Sequence, residues 1–291
     1  MNNTNLKYQF ARLNIAEKLI AINVVVFIVV RLTSFLLQLQ PWYLEGWFEL
    51  PKDFLEFLTQ PWSIVTYSFF HGGIWHIFFN MLLLFYVARI FFNYFGPRRF
   101  INVYFLGVIL GGTFFLLAYN IFPAFYNSQS PLIGASAGVM AVLIFICTYI
   151  PQQEVRVFFF NLKLWYIGAF FVLMDLVLIP LNENPGGRIA HLGGALLGYL
   201  YARQSLEGKD LGAGFSRMLD RIGELFERKK KAPMKTVYRG QKRKKTTSVD
   251  YDKETRQRKI DSILDKISKS GYDSLTKAEK DFLFKAGKEE E

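Results

Sequence analysis

Three histidines stand in this chain, His71, His76 and His191, and all lie in or beside apolar segments. The charged C-terminal part contains none. An ionisable group within an apolar span is costly and is a functional candidate by default. His76 and Asn80 are four residues apart, so on a helix they share a face, and both can donate hydrogen bonds. Bonding between helices is the equally weighted alternative for that pair. Ser136 sits in "GASAG" (134–138), where an apolar run begins. His191 sits in "AHLGGALLGYL", ahead of small residues at intervals of four, Ala190, Gly194 and Gly198. Such spacing lets two helices approach closely. If that face meets Gly134, Ala135, Ser136, Ala137 and Gly138, the hydroxyl of Ser136 approaches the imidazole of His191. A general base beside a nucleophile then suits acyl transfer. Acyl transfer also needs donors for the developing oxyanion. The N–H of Ser136 is free at a helix start, where the dipole favours negative charge. His76 and Asn80 supply side-chain donors. Asp175, in "FFVLMDLVLIP", is the acidic residue deep inside a span. It orients His191, pairs with another polar group, or is protonated.

These residues need elements to carry them. Six apolar segments stand at about 18–38, 74–95, 100–121, 136–150, 164–181 and 189–204. A helical span needs roughly 20 residues, so the last three are short. Membrane-depth backbone must still be satisfied, so a short helix begins or ends inside protein or a wet cavity. The segment from Ser136 to Ile150 is about 22 Å long as a helix, against a hydrocarbon core of about 30 Å. Ser136 is therefore expected in a submerged, wet pocket. Lys7, Arg12 and Lys18, then Arg98 and Arg99, then Arg156 and Lys163 alternate with loops that are acidic or uncharged. By the positive-inside rule both termini are expected to be cytosolic. The expected location is the cell (plasma or inner) membrane. The polar N-terminal segment does not read as a secretory signal.

Composition agrees with this division. Hydrophobic residues make up 52% of the 291, and the net charge of +11 lies largely in the C-terminal part. Lysine and arginine excess there is expected of a membrane protein, so nucleic acid is not the expected partner. With a single cysteine, Cys147, neither an intrachain disulfide nor a CxxC metal site can form.

The combination of "HGGIWHIFFN", "GASAG" and "AHLGGALLGYL", in that order, resembles the rhomboid family of intramembrane serine proteases over about residues 18–204. The resemblance implies an all-α membrane protein, a six-helix bundle with a cytosolic helical tail. It puts the nucleophile on Ser136, the base on His191 and the oxyanion pair on His76 and Asn80. His71 matches a further histidine that often precedes the pair, and Gly134 opens the Gly-x-Ser motif. The substrates implied are single-pass or other transmembrane proteins, cut in or beside their membrane segments. They would enter laterally past span five, and the loop "NENPGGR" (182–188) would be a mobile cap. No metal or other cofactor is implied. Ala137 stands where many members have glycine, and Met140 where some have a tyrosine stacked on the histidine. Trp62 is followed by Ser63 instead of arginine, and "RIFFNYFG" lacks a common glutamate. These departures predict effects on stability or rate, with activity kept.

The expected organisation is an N-terminal segment 1–17, a membrane domain 18–204, a basic juxtamembrane segment and linker 205–254, and a helical hairpin 255–291. Phe215, Met218, Leu219, Ile222, Leu225 and Phe226 share one helical face. That helix lies on the inner leaflet or packs on the bundle. The runs "ERKKKAPMK" and "RGQKRKK" suit anionic inner-leaflet lipid, or a solvated linker. Ile260, Ile263, Leu264 and Ile267 form a stripe, and Thr276 with Glu279 reads as a capping box. Two rival functions stand beside the protease. One is an inactive relative that binds membrane clients, which has no need of the Ser136–His191 pair. The other is a channel or transporter, whose usual internal repeats are not seen.

Overall fold

The computed structural model describes residues 3–126, 131–157, 159–181, 183–226 and 248–288. The chain is mostly helical. Six helices occupy the six apolar segments: α1 (Ile15–Leu36), α2 (Ile74–Phe91), α3 (Pro97–Ile121), α4 (Ser136–Tyr149), α5 (Leu164–Leu178) and α6 (Pro185–Leu206). The first three are long and apolar enough to cross a membrane, and α4 and α5 are shorter apolar helices. Local signals set several starts. Asn14 and Glu17 form a reciprocal capping box at α1, and Pro97 follows Gly96 at α3; proline suits the first helical position because its missing N–H would be unpaired there anyway.

The core is built around α4. Its residues from Ala137 to Cys147 are all buried, as expected of a helix apolar all round and wrapped by neighbours. Helices α2, α3, α5 and α6 pack against it. Small residues set the distances. A Cβ on Gly194 would lie 2.1 Å from the Ala137 carbonyl oxygen, and one on Gly198 would lie 2.3 Å from that of Ala141. From the other side Gly107 and Gly111 of α3 approach Ala141 and Ala137 just as closely. The small face ahead of His191 therefore does meet the helix opened by Ser136. Outward-facing side chains such as Val25, Ile28, Val29, Phe78, Phe79, Phe170 and Leu173 are exposed, an apolar surface too extensive for water.

Three local features differ from expectation. The segment after α1 holds short helices at Pro41–Glu45, Phe54–Thr59 and Ser63–Thr66. Between α4 and α5 runs an antiparallel hairpin, β1 (Glu154–Val157) and β2 (Phe160–Lys163). The expected mobile cap at 182–188 is largely helix. Asn184 caps α6 by accepting from the Gly187 N–H at 3.2 Å, and Pro185 takes the first helical position. A Cβ on Gly186 would meet Phe115 at 2.8 Å and Tyr119 Oη at 2.9 Å. These glycines permit close packing, which is why a Pro-Gly-Gly run is not a hinge here.

The chain divides into two compact units, Met1–Glu227 and Arg228–Glu291. The first unit also contains α7 (Ala213–Phe226), which packs on the start of α3. The second holds α8 (Ser248–Ser270) and α9 (Lys277–Lys288). Ile263, Leu275 and Ala286 are buried there, whereas Leu264 of the expected stripe is exposed. The Thr276–Glu279 capping box forms, and Lys266 donates to the Glu279 carboxylate at 2.9 Å. The basic runs read as lipid contacts lie outside the described residues.

Candidate active site

Ser136 is the first residue of α4, so its backbone N–H has no helical acceptor. The chain enters through Gly134, whose φ of +126° lies where side chains are strained. Space forbids a side chain there too: a Cβ would lie 2.8 Å from His76 Nε2 and 3.6 Å from Ser136 Oγ. One glycine therefore lets an imidazole and a hydroxyl close in on the same bend.

The bend is pinned from behind. Gly134 N–H donates to the Tyr67 carbonyl at 3.0 Å, and Leu132 exchanges both backbone bonds with Leu50. The Ala135 N–H donates to His71 Nε2 at 3.4 Å. His71 is buried, and its ring meets that of His76 edge-on with centroids 5.0 Å apart. The His71 carbonyl accepts from Arg31 Nη2 at 2.9 Å, and Arg31 also lies 3.6 Å from the buried Glu45. So α1 supplies a guanidinium to the connection before α2, where Trp62-Ser63 has none of its own. His71 thus supports the loop through its ring and its backbone at once.

His76 and Asn80 share one face of α2, as their spacing requires. Asn80 Nδ2 donates to the His76 carbonyl at 2.8 Å, which orients the amide along the helix. Asn80 lines a cavity of about 180 Å³ together with Ser136, Met140, Asp175, Arg188 and His191. Phe79, Leu83, Val139, Phe171 and Met174 complete an otherwise apolar wall. A small, mostly apolar hollow with a few convergent polar groups is the usual form of a ligand site.

His191 lies two turns into α6 and is partly exposed to that cavity. Its Nδ1 lies 3.1 Å from Asp175 Oδ2 and 3.2 Å from Oδ1. Asp175, on α5, is almost fully buried, and its Oδ1 also accepts from Arg188 Nη1 at 3.0 Å. A buried carboxylate needs such pairing. Asp175 thus pairs with another polar group, Arg188, and also engages His191 Nδ1, which leaves Nε2 for the cavity. Ser136 and His191 line the same cavity, with no hydrogen bond between them among the described residues. Catalytic hydrogen bonds are often long without substrate. Met140, one turn after Ser136, is buried against the cavity.

Sequence reasoning missed Arg188 and Arg31 as members of this arrangement. Arg188 had a readable signal, since it precedes His191 by three residues and so shares its helical face. Among the described residues no cluster of side chains could hold a metal ion.

A family model described as the rhomboid domain matches residues 58–207, which hold every one of the cavity residues. A family of unknown function, DUF6576, matches residues 247–286. The RHOMBOID-like protein 12, mitochondrial, of Arabidopsis thaliana is 28% identical over 145 residues, 46% of this chain and 43% of that protein. The presenilin-associated rhomboid-like protein, mitochondrial, of Homo sapiens is 28% identical over 186 residues, 63% of this chain and 46% of that protein. Rhomboid protein 1, mitochondrial, of Saccharomyces cerevisiae is 28% identical over 191 residues, 65% of this chain and 52% of that protein. The chain spans about half the length of these relatives or less. Their names also correct one expectation. A plasma or inner cell membrane location with cytosolic termini does not stand, because these relatives are mitochondrial. Loop charge reports the face of a bilayer to which a loop keeps, and says nothing of which membrane that is. With more than half of its residues matched by the rhomboid domain and its bundle, bend and cavity arranged as described, the chain belongs to the rhomboid family.

Proposed function

We propose that this protein is a serine endopeptidase that cuts transmembrane proteins in or near their membrane segments, with Ser136 as nucleophile and His191 as base. One observation carries the reading: a hydroxyl at a free helix start shares an apolar cavity with an imidazole whose other nitrogen is held by a buried carboxylate.

In the proposed reaction Ser136 Oγ attacks the peptide carbonyl carbon while His191 Nε2 takes its proton. The resulting oxyanion accepts hydrogen bonds from the Ser136 backbone N–H and from the His76 and Asn80 side chains. Collapse breaks the C–N bond, and His191 returns the proton to the leaving amine. Water, deprotonated by His191, then hydrolyses the acyl-enzyme. Asp175 keeps His191 in the productive tautomer and stabilises its protonated form. Arg188 balances that carboxylate, and His71 holds the bend in place. No step calls for a metal or other cofactor.

The wider reading is a membrane domain over 18–204 with α1 to α6 as six spans, and substrate reaching the cavity from the bilayer past α5. Segments 1–17, 205–254 and 255–291 flank it. The relatives' names support a mitochondrial membrane as the compartment. The test is a paired assay in liposomes, offering a model transmembrane substrate to wild type and to Ser136→Ala. Cleavage by wild type alone supports the reading. Equal cleavage by both, or by neither, would favour the inactive client-binding alternative or another nucleophile.

A further inference from the structure

Helix α7 is docked inside out. The edge of its polar side that carries Ser216 and Asp220 faces the protein, while Arg217, Arg221 and Glu224 on the rest of that side are exposed. Asn102, buried in α3, donates to the Gly212 carbonyl at 3.2 Å and to Ser216 Oγ at 2.8 Å, and Ser216 Oγ returns a bond to Asn102 Oδ1 at 3.1 Å. One turn later Asp220 pairs with Arg98 at 2.7 Å. The turn before the helix is tied as well: Asp210 accepts from the Gly212 N–H at 3.0 Å and from the Tyr201 hydroxyl. Residues 216 and 220 lie on one helical face. Residues 218 and 222 lie nearly opposite, with 219 at their edge. That opposite face is apolar and largely open, with Phe215 half-buried at its start: Met218 is 47% exposed, Leu219 37% and Ile222 43%, with Leu211 before them at 46%. Within this unit no described element covers it.

An amphipathic helix packed on a protein in water turns the other way, apolar side inward. The arrangement here is stable only if the outer face meets something apolar. Two observations identify lipid as that occupant. The face continues from the exposed Tyr199, Leu200 and Leu206 at the end of α6, part of the outward apolar surface of the bundle. Cations also stand near it: Arg99 at the start of α3, and the exposed Arg217 and Arg221 on the flank of α7. A short strip of four apolar side chains is meagre for a stable protein interface, which buries roughly 800 Å² per partner. A helix with cations beside its apolar face lies instead in the plane of an anionic bilayer surface.

We propose that α7 is an interfacial helix that seats Leu211, Met218, Leu219 and Ile222 in the bilayer surface beside the start of α3, with Arg99 and Arg221 against anionic headgroups. The proposal rests on the membrane placement of the bundle and not on peptide cleavage. The experiment uses the full chain in liposomes of phosphatidylcholine and phosphatidylglycerol. Single nitroxide labels go on Met218→Cys and Ile222→Cys, and for the polar side on Arg217→Cys and Glu224→Cys. Cys147 is buried, so the wild-type chain is the labelling control. Collision with oxygen marks lipid, and collision with a water-soluble nickel chelate marks water. We expect the oxygen-to-nickel ratio to be several-fold higher at 218 and 222 than at 217 and 224. It should fall when phosphatidylglycerol is left out. High nickel collision at 218 and 222 would overturn the proposal by putting the face in water. Low collision with both reagents would overturn it by showing a protein occupant. A ratio indifferent to phosphatidylglycerol would overturn the headgroup contact.

Discussion

The Asp175 carboxylate is the most telling side chain in the site, because it does two things at once. It is buried, and it holds both His191 and Arg188. Asp175→Asn keeps the shape but permits the wrong imidazole tautomer. We expect kcat to fall on the order of 10²- to 10⁴-fold, with KM little changed. An unchanged kcat in peptidase assays would remove the orienting role. Gly134→Ala is expected to abolish turnover, since it adds a side chain at positive φ and against His76 Nε2. Full activity in that variant would contradict the oxyanion assignment. Part of this arrangement was legible: Ser136, His191 and Asn80, singled out by residue type, depth and spacing, line one cavity, and His76 stands beside the Gly134 bend. The Asp175–Arg188 pair was not, because the two residues belong to different helices and only the fold brings them together. Gly134 was visible as a small residue, but its positive φ belongs to the bend and not to the sequence.

Helix packing gives the next test. Gly194 lies against the Ala137 carbonyl with no room for a methyl, whereas Gly223 of α7 has nothing within 4 Å of its Cβ position. Gly194→Ala should therefore cost about 1–3 kcal/mol through overpacking, and lower the detergent melting temperature. Gly223→Ala should be neutral or stabilising by roughly 0.5–1 kcal/mol, since alanine is the better helix former. Similar shifts in both would mean that α4 and α6 do not pack backbone to backbone. The connection after α1 titrates. Burial, then the neighbouring Glu45 and Glu56 charges, raises Glu49 from 4.5 to about 7. A raised carboxylate means that the folded state holds the proton more tightly, so stability falls as pH rises from about 4.5 to about 7 and levels off above. Glu49→Gln should flatten that slope in thermal melts, and a slope left unchanged would assign it elsewhere. Segments of this kind escaped sequence reading. The helices at Pro41–Glu45, Phe54–Thr59 and Ser63–Thr66 are too short for a periodic signal, and they depend on contacts such as the Trp62 Nε1 bond to the Trp47 carbonyl at 2.7 Å. The hairpin Glu154–Lys163 turns without glycine or an Asn-Gly pair, the usual marks of a tight turn. The start of α6 was readable but misread: proline after a capping asparagine announces a helix as well as a loop.

For the whole molecule, hydropathy and loop charge located all six helices and the division from a charged C-terminal part. They could not identify the membrane, since positive charge marks a side of any bilayer alike. Nor could they show which way α7 faces, because amphipathicity reveals that a helix has two sides and not which of them the protein takes. The proposed function turns on a single atom, Ser136 Oγ, at the wall of a mostly apolar cavity. Its most direct test is covalent. The full chain in liposomes is treated with a fluorophosphonate, and the site of attachment is read by peptide mass spectrometry, with His191→Ala and Ser136→Ala treated alongside. One adduct is expected, on Ser136, lost in Ser136→Ala and strongly slowed in His191→Ala. An adduct on another residue, or none on wild type that nonetheless cleaves substrate, would contradict it.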